Sequence, residues 1–225
     1  MDLLELARGP LWYAAGAIFI LGTAWRLYGI WRLGTRPVLA APRSAATTSA
    51  AIRTVFSRMV PRAGFHASAT LATVNPYLYH VGLAIVAFGY LPHIEFVRRV
   101  TGVSWPALPD WVMLVAAGLT IVSLGIALLY RLTDPVLRLI SGIGDYFGWI
   151  VTLLPLVTGM ALISEPSAAL HARQAISNPL PLAIHLLSLE LLLAWFPFGK
   201  LMHAFLVVPA RAQLGAFFAR RGVQA

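Results

Sequence analysis

No cysteine occurs anywhere in the 225-residue chain. That absence excludes a disulfide framework, thiolate iron–sulfur ligation and covalent c-type haem attachment within this chain, so any redox centre it holds must use other ligands. Charge is also scarce: 11% of residues are charged, against about a quarter in ordinary globular chains. A soluble domain of this length could not cover its surface with so few. With 59% hydrophobic residues and a mean hydropathy of +0.78, the composition points to lipid as the solvent. Acidic residues are the scarcest, 8 Asp+Glu against 17 Lys+Arg, for a net charge of +9. In a soluble protein that excess would suggest nucleic acid. Here the arginines cluster between apolar runs, a distribution that fits a topology signal and contact with anionic membrane lipid or an acidic partner, with no nucleic acid. The opening "MDLLELARGPLWYAAGAIFILGTAWRLYGIWR" lacks the basic n-region of a secretory signal, and its apolar run is too long for an h-region, so it reads as a retained first span.

Long apolar runs are what the chain does have. Five are long enough to cross a hydrocarbon core of roughly 30 Å, at about residues 10–31, 76–98, 110–132, 140–163 and 182–208. Between the first two lies a long polar connection, residues 32–68. In its "TTSAAIRTVFSRMVPR" the residues Ile52, Val55, Phe56 and Met59 fall at helical spacing against Arg53, Arg58 and Arg62, the pattern of a helix lying on a membrane surface. The expected fold is therefore an all-α integral membrane protein: one membrane domain over residues 1–225, a bundle of five transmembrane helices with an amphipathic cytoplasmic segment between helices 1 and 2. Thirteen of the seventeen basic residues fall on the side of the first connection, the third connection and the C-terminal tail; Arg8, Arg98, Arg99 and Arg173 fall on the other side. The asymmetry predicts an outside N-terminus and a cytoplasmic C-terminus.

Two histidines, His185 and His203, sit in the apolar stretch "LPLAIHLLSLELLLAWFPFGKLMH". An unpartnered imidazole in hydrocarbon is costly, on the order of 2–7 kcal/mol. The eighteen-residue spacing is five helical turns, so one continuous helix would carry both on one face about 27 Å apart. The second span, "NPYLYHVGLAIVAFGYLPHIEFVRR", carries His80 near its start and His93 near its end and runs the opposite way. His80 then shares the cytoplasmic level with His203, and His93 the outer level with His185. A single histidine in a span is more often a hydrogen-bonded core residue, but facing pairs at two depths on two antiparallel helices are what bis-histidine ligation of two b-type haems requires. His66 and His171 read as surface loop residues, the polar "ASATLATVNP" arguing against a helix continuous from His66 to His80.

Through "LYHVGLAIVAFGY", "GDYFGWIVTLLPLVTG" and above all "HLLSLELLLAWFPFGKLMH", residues 70 to 210 resemble the gamma subunit family of respiratory nitrate reductase. That membrane cytochrome b family includes related subunits of hydrogenase and heterodisulfide reductase-like complexes. The resemblance implies that His80 and His203 hold the haem nearer the cytoplasm and that His185 is one ligand of the outer haem. It implies a bacterial-type inner membrane and a quinone site beside the outer haem. One departure stands out: where the family has the second histidine of span two, ten residues after the first and following a glycine, this chain has Tyr90 after Gly89, and the nearest histidine is His93, just after Pro92. Pro92 can kink the helix and turn His93 inward, so His93 and Tyr90 are the two candidates opposite His185. Two haems b are expected, with one haem as the alternative.

Around the outer haem the quinone neighbourhood would hold Tyr90, His93, Glu95, Arg98, Arg99 and Glu165, with Glu95 alternatively a plain ion-pair partner of one of those arginines. Glu190 lies within the last apolar run, either as a hydrogen-bonded interior acid or as a step in a proton path. Asp145 is placed for a helix-start role. The leading expectation is a dihaem cytochrome b passing electrons between the quinone pool and an iron–sulfur or catalytic partner subunit on the cytoplasmic side. The alternative class is a haem-free anchor or small transporter with a histidine-lined metal or proton path. A metal path would gather its ligands at one level.

Overall fold

The computed structural model describes residues 2–34, 41–60, 66–163 and 178–223. The described chain is helical and forms an all-α membrane bundle, with five helices long and apolar enough to cross a bilayer. Helix α1 (Leu3–Leu33) opens with a capping box in which Asp2 accepts the Glu5 N–H and the Glu5 carboxylate accepts the Asp2 N–H. Pro10 cannot supply its N–H, and the chain makes a π-type turn over Ala7–Leu11 before resuming. The first span thus begins several residues before the expected residue 10.

Helix α2 (Thr47–Ser57) is the amphipathic segment, but its partner is protein on one side. Ala50 and Thr54 are buried against Gly215 of the C-terminal helix α9 (His203–Arg220). A Cβ at Gly215 would collide with Thr54 and with the Ala50 carbonyl, so the glycine sets how closely the two helices approach. Arg211 donates to the Val55 carbonyl and the Arg43 N–H to the Arg220 carbonyl, fixing α2 antiparallel to α9. Ile52 and Phe56 point outward, 58% and 65% exposed, so the face expected to lie on lipid remains open while Ala50 and Thr54 make the helix contact. Arg62 lies outside the described residues.

Two expected spans are each interrupted. Helix α3 runs from His66 to Gly89, and the chain bends at Tyr90 before α4 (Leu91–Thr101). Pro92 has no N–H to give the Phe88 carbonyl four residues back, and the freed carbonyls at the end of α3 find other donors: Trp105 Nε1 bonds Phe88 at 2.6 Å and the Leu108 N–H bonds Gly89 at 2.9 Å. The helix does not bend through Pro92 as a kink; it stops and restarts. His66 is not in a loop but opens α3, whose Ala/Ser/Thr-rich first turns are helical after all. What the polar stretch gains is a buried anchor: Asn75 donates to the Ser123 carbonyl at 3.0 Å and accepts the Ser123 hydroxyl at 2.6 Å, tying α3 to α5 (Asp110–Thr133).

The last expected span is likewise not one helix. Helix α8 (Leu180–Trp195) ends at Phe196–Gly199, where Pro197 and an extended Gly199 stop the hydrogen-bond ladder, and a short 3-10 turn over Lys200–Met202 leads into α9. His185 and His203 therefore stand on two helices, and the five-turn register does not apply.

Small residues set the bundle's contacts. Gly82 of α3 lets Thr120 of α5 approach so closely that a Cβ would overlap its hydroxyl. Short α6 (Pro135–Leu139), capped by Asp134, turns the chain into α7 (Ile143–Met160), and Trp149 of α7 donates to the Leu124 carbonyl. Helix α7 packs on α8, and α8 on α1, where Phe19 meets Phe196 edge-to-face at 5.2 Å. Outward-facing Leu21 (69%), Leu119 (64%) and Val122 (60%) are exposed, as expected of a bundle that faces lipid rather than water.

Candidate imidazole centres

Four histidines converge as two pairs. The His80 and His203 ring centres are 5.8 Å apart with planes at 85°, and those of His93 and His185 are 6.3 Å apart and nearly parallel, at 10°. The middle of α3 meets the start of α9, and the start of α4 meets the first half of α8, so the two pairs are separated along the bundle. From His80 to Gly89 alone α3 rises about 14 Å.

Each ring commits Nδ1. His80 Nδ1 bonds the Pro76 carbonyl at 2.6 Å, His93 Nδ1 the Val86 carbonyl at 2.9 Å and His203 Nδ1 the Lys200 carbonyl at 2.8 Å. A carbonyl can only accept, so Nδ1 carries the proton in all three. The Val86 carbonyl is free because the helix stops at Tyr90, the residue whose N–H it would otherwise receive. At His185 the partner is a hydroxyl, Thr158 Oγ1 at 3.1 Å. Thr158 spends its one proton on the Leu154 carbonyl at 2.8 Å, so its oxygen accepts from His185 Nδ1 as well. Ser188 completes that network, bonding the His185 carbonyl at 2.7 Å and lying 3.0 Å from the Thr158 hydroxyl. A neutral ring that donates from Nδ1 in this way keeps its Nε2 lone pair for a metal, the arrangement by which metal-ligating histidines are oriented.

The spacing suits a shared metal. Two imidazoles bonded through Nε2 to one metal between them, at about 2 Å per metal–nitrogen bond, hold their ring centres roughly 6 Å apart. Helix α3 packs along α5 and α8 along α7, while α3 has no extended interface with α8 or α9 among the described residues. The paired imidazoles meet across this separation. His80 and His203 are exposed. Gly159 makes room for the His185 ring, whose Cε1 would be 3.1 Å from a Cβ there. Among the described residues no group of three or more His, Asp or Glu side chains converges as a metal path would require.

Other expected residues are placed as follows. Tyr90 sits edge-on to His93, ring centres 5.3 Å apart. Glu95 is paired with Arg98 at 2.7 Å, the plain ion pair. Glu190 is 6% exposed and its Oε1 has no hydrogen-bond partner, so the hydrogen-bonded interior acid is only half realised. Asp145 has the expected helix-start role, as the capping-box residue of α7. From the third helical position it accepts the Gly142 N–H at 3.0 Å, and it pairs with Lys200 at 2.5 Å. Glu165, His171 and Arg173 lie outside the described residues. Thr158, Ser188 and Gly159 escaped the sequence reading. The available signal was the "TG" closing the quoted "LLPLVTG" run and the serine three residues after His185. Beside His203 a cavity of about 660 Å³ is lined by Arg26, Asp145, Trp195 and Lys200 among apolar walls, within the size range of cofactor pockets.

No family model matches the chain. Over 221 residues, 95% of this chain and 93% of the relative's length, it is 29% identical to a protein of Nitratidesulfovibrio vulgaris (strain Hildenborough) whose description states no function. The similarity runs through all the membrane helices.

Proposed function

We propose that the chain is a dihaem b-type cytochrome subunit of the nitrate reductase gamma kind, carrying electrons between membrane quinone and an iron–sulfur or catalytic partner on the cytoplasmic side. The observation that carries this reading is the convergence of four imidazoles as two pairs, with ring centres 5.8 and 6.3 Å apart. In it, His80 and His203 hold the inner haem b, and His93 and His185 the outer. Haem iron supplies the one-electron step when bound. The chain's own contribution is to fix each ring by its Nδ1 bond and to keep water from the outer pair, whose histidines are partly buried between α4, α7 and α8. Tyr90, edge-on to His93, is the group beside the outer pair available to receive a quinone. The purified chain is expected to show a reduced-minus-oxidised b-type spectrum and two haems by pyridine haemochrome assay. Absence of that spectrum in protein made with ample haem would overturn the reading, and one haem per chain would reduce it to a single-haem anchor.

The same reading places α2, the C-terminal end of α9 and the arginines around them on the cytoplasmic side of a bacterial-type inner membrane, where Arg53, Arg58 and Arg211 favour an acidic partner. Single cysteines introduced into α2 and the C-terminal tail of this cysteine-free chain should label only in inside-out vesicles. Labelling of both from the periplasmic side would reverse the topology.

A further inference from the structure

His203 begins α9 directly after the break, so its ring depends on how the 3-10 turn over Lys200–Met202 is held. The turn's own closing bond is long, Met202 N–H to the Gly199 carbonyl at 3.5 Å. Its firm tie is the Lys200 ammonium, 2.5 Å from Asp145 Oδ1. Asp145 is itself anchored: its side chain is 9% exposed against 74% for Lys200, its Oδ2 accepts the Gly142 N–H at 3.0 Å, and Arg131 stands 4.0 Å from Oδ1. Arg131 in turn donates to the Ser141 hydroxyl at 2.7 Å. The carboxylate is thus a fixed post where α5, α7 and the break before α9 meet. Lys200 carries both ends of the linkage, its side chain on that post and its carbonyl on His203 Nδ1 at 2.8 Å.

We propose that Asp145 is a positioning residue for His203, acting through Lys200: the ion pair aims the Lys200 carbonyl, and the carbonyl sets the tautomer and plane of the imidazole. As a claim about the inner haem this rests on the reading of His203 as a ligand, but the effect on the ring does not need the haem. An exposed lysine pair is ordinarily worth little. Here a short charge-assisted bond to an almost buried carboxylate adds a side-chain anchor to a turn otherwise held by the His203 N–H on the Lys200 carbonyl and by the buried Met202.

The test uses the full chain, with ¹⁵N-labelled histidine, in lipid nanodiscs. In the haem-free wild type the His203 nitrogens, assigned by their loss in His203→Gln, should report a single Nδ1–H tautomer. Lys200→Met and Asp145→Asn should give a mixture, and Lys200→Arg should restore the wild-type signal. In haem-loaded protein the two disruptive variants should lose the inner haem to an apo-haem acceptor about 10–100-fold more readily, the range for losing an outer-shell partner, with the outer haem unchanged. An unaltered tautomer and unaltered haem retention in Lys200→Met and Asp145→Asn would overturn the proposal while leaving two haems, and so the proposed function, intact. A tautomer that follows the ion pair in a chain that takes up no haem would instead uphold the positioning and sink the haem reading.

Discussion

On the proposed dihaem reading, His203→Ala is expected to leave one haem of the two and to stop electron delivery to the proposed cytoplasmic partner. His80→Ala should do the same, because each removes half of one Nε2 pair and the facing imidazole, 5.8 Å away in the wild type, cannot reach a second bond alone. The inner pair is the only route from the bundle to the cytoplasmic side in this scheme, so its loss interrupts the whole path and not a fraction of it. Haem content should fall by about half, the amount expected when one of two bis-histidine sites is lost. The measurement is a pyridine haemochrome count together with dye reduction by quinol in membranes. Full haem content and undiminished transfer in both variants would remove His80 and His203 from the site. Neither substitution leaves a buried polar group unpaired, since both rings are exposed and their Nδ1 partners are backbone carbonyls, Pro76 within α3 and Lys200 in the turn before α9. Loss of the fold is therefore not the expected cause of a missing haem.

The second large effect concerns the outer pair. His93→Ala should remove about half the haem, while Tyr90→Phe should leave the count unchanged. The His93 ring lies parallel to His185 at 6.3 Å with its Nδ1 already bonded to Val86, so its Nε2 is the nitrogen available to a metal. Tyr90 stands edge-on to His93, and a phenol would have to ionise in an apolar surrounding to become a good ligand, at the cost of a buried charge. An imidazole ligates without that charge. Haem loss in Tyr90→Phe with retention in His93→Ala would transfer the role to Tyr90.

How far the sequence reaches is clearest along the second span. Its apolar run and the positions of His80 and His93 were legible, because hydrophobic length and residue identity are local properties. The stop at Tyr90 was half legible: Pro92 signals a lost hydrogen bond, but whether a helix kinks or ends depends on which groups are nearby to take the freed carbonyls. Trp105, Leu108 and His93 itself take them, and two of these come from beyond the span. The first turns of α3 misled for the opposite reason. "ASATLATVNP" looks like a loop until Asn75 finds Ser123, 48 residues away.

By itself, then, the sequence determined a multi-pass helical membrane protein with two histidines in each of two apolar runs, since burial in lipid follows from composition and residue identity is local. Only the tertiary structure decided which nitrogen each histidine offers. That choice rests on a carbonyl at a helix stop, a threonine on the neighbouring helix and a turn pinned by Asp145. Phe196–Gly199 breaks the last span, so the eighteen-residue spacing that suggested one straight helix brings His203 to His80 by a different route, through a turn held by an ion pair between residues 55 positions apart. Charges and hydroxyls that meet only after the chain has folded carry no local periodicity, and no pattern along the chain could have announced them.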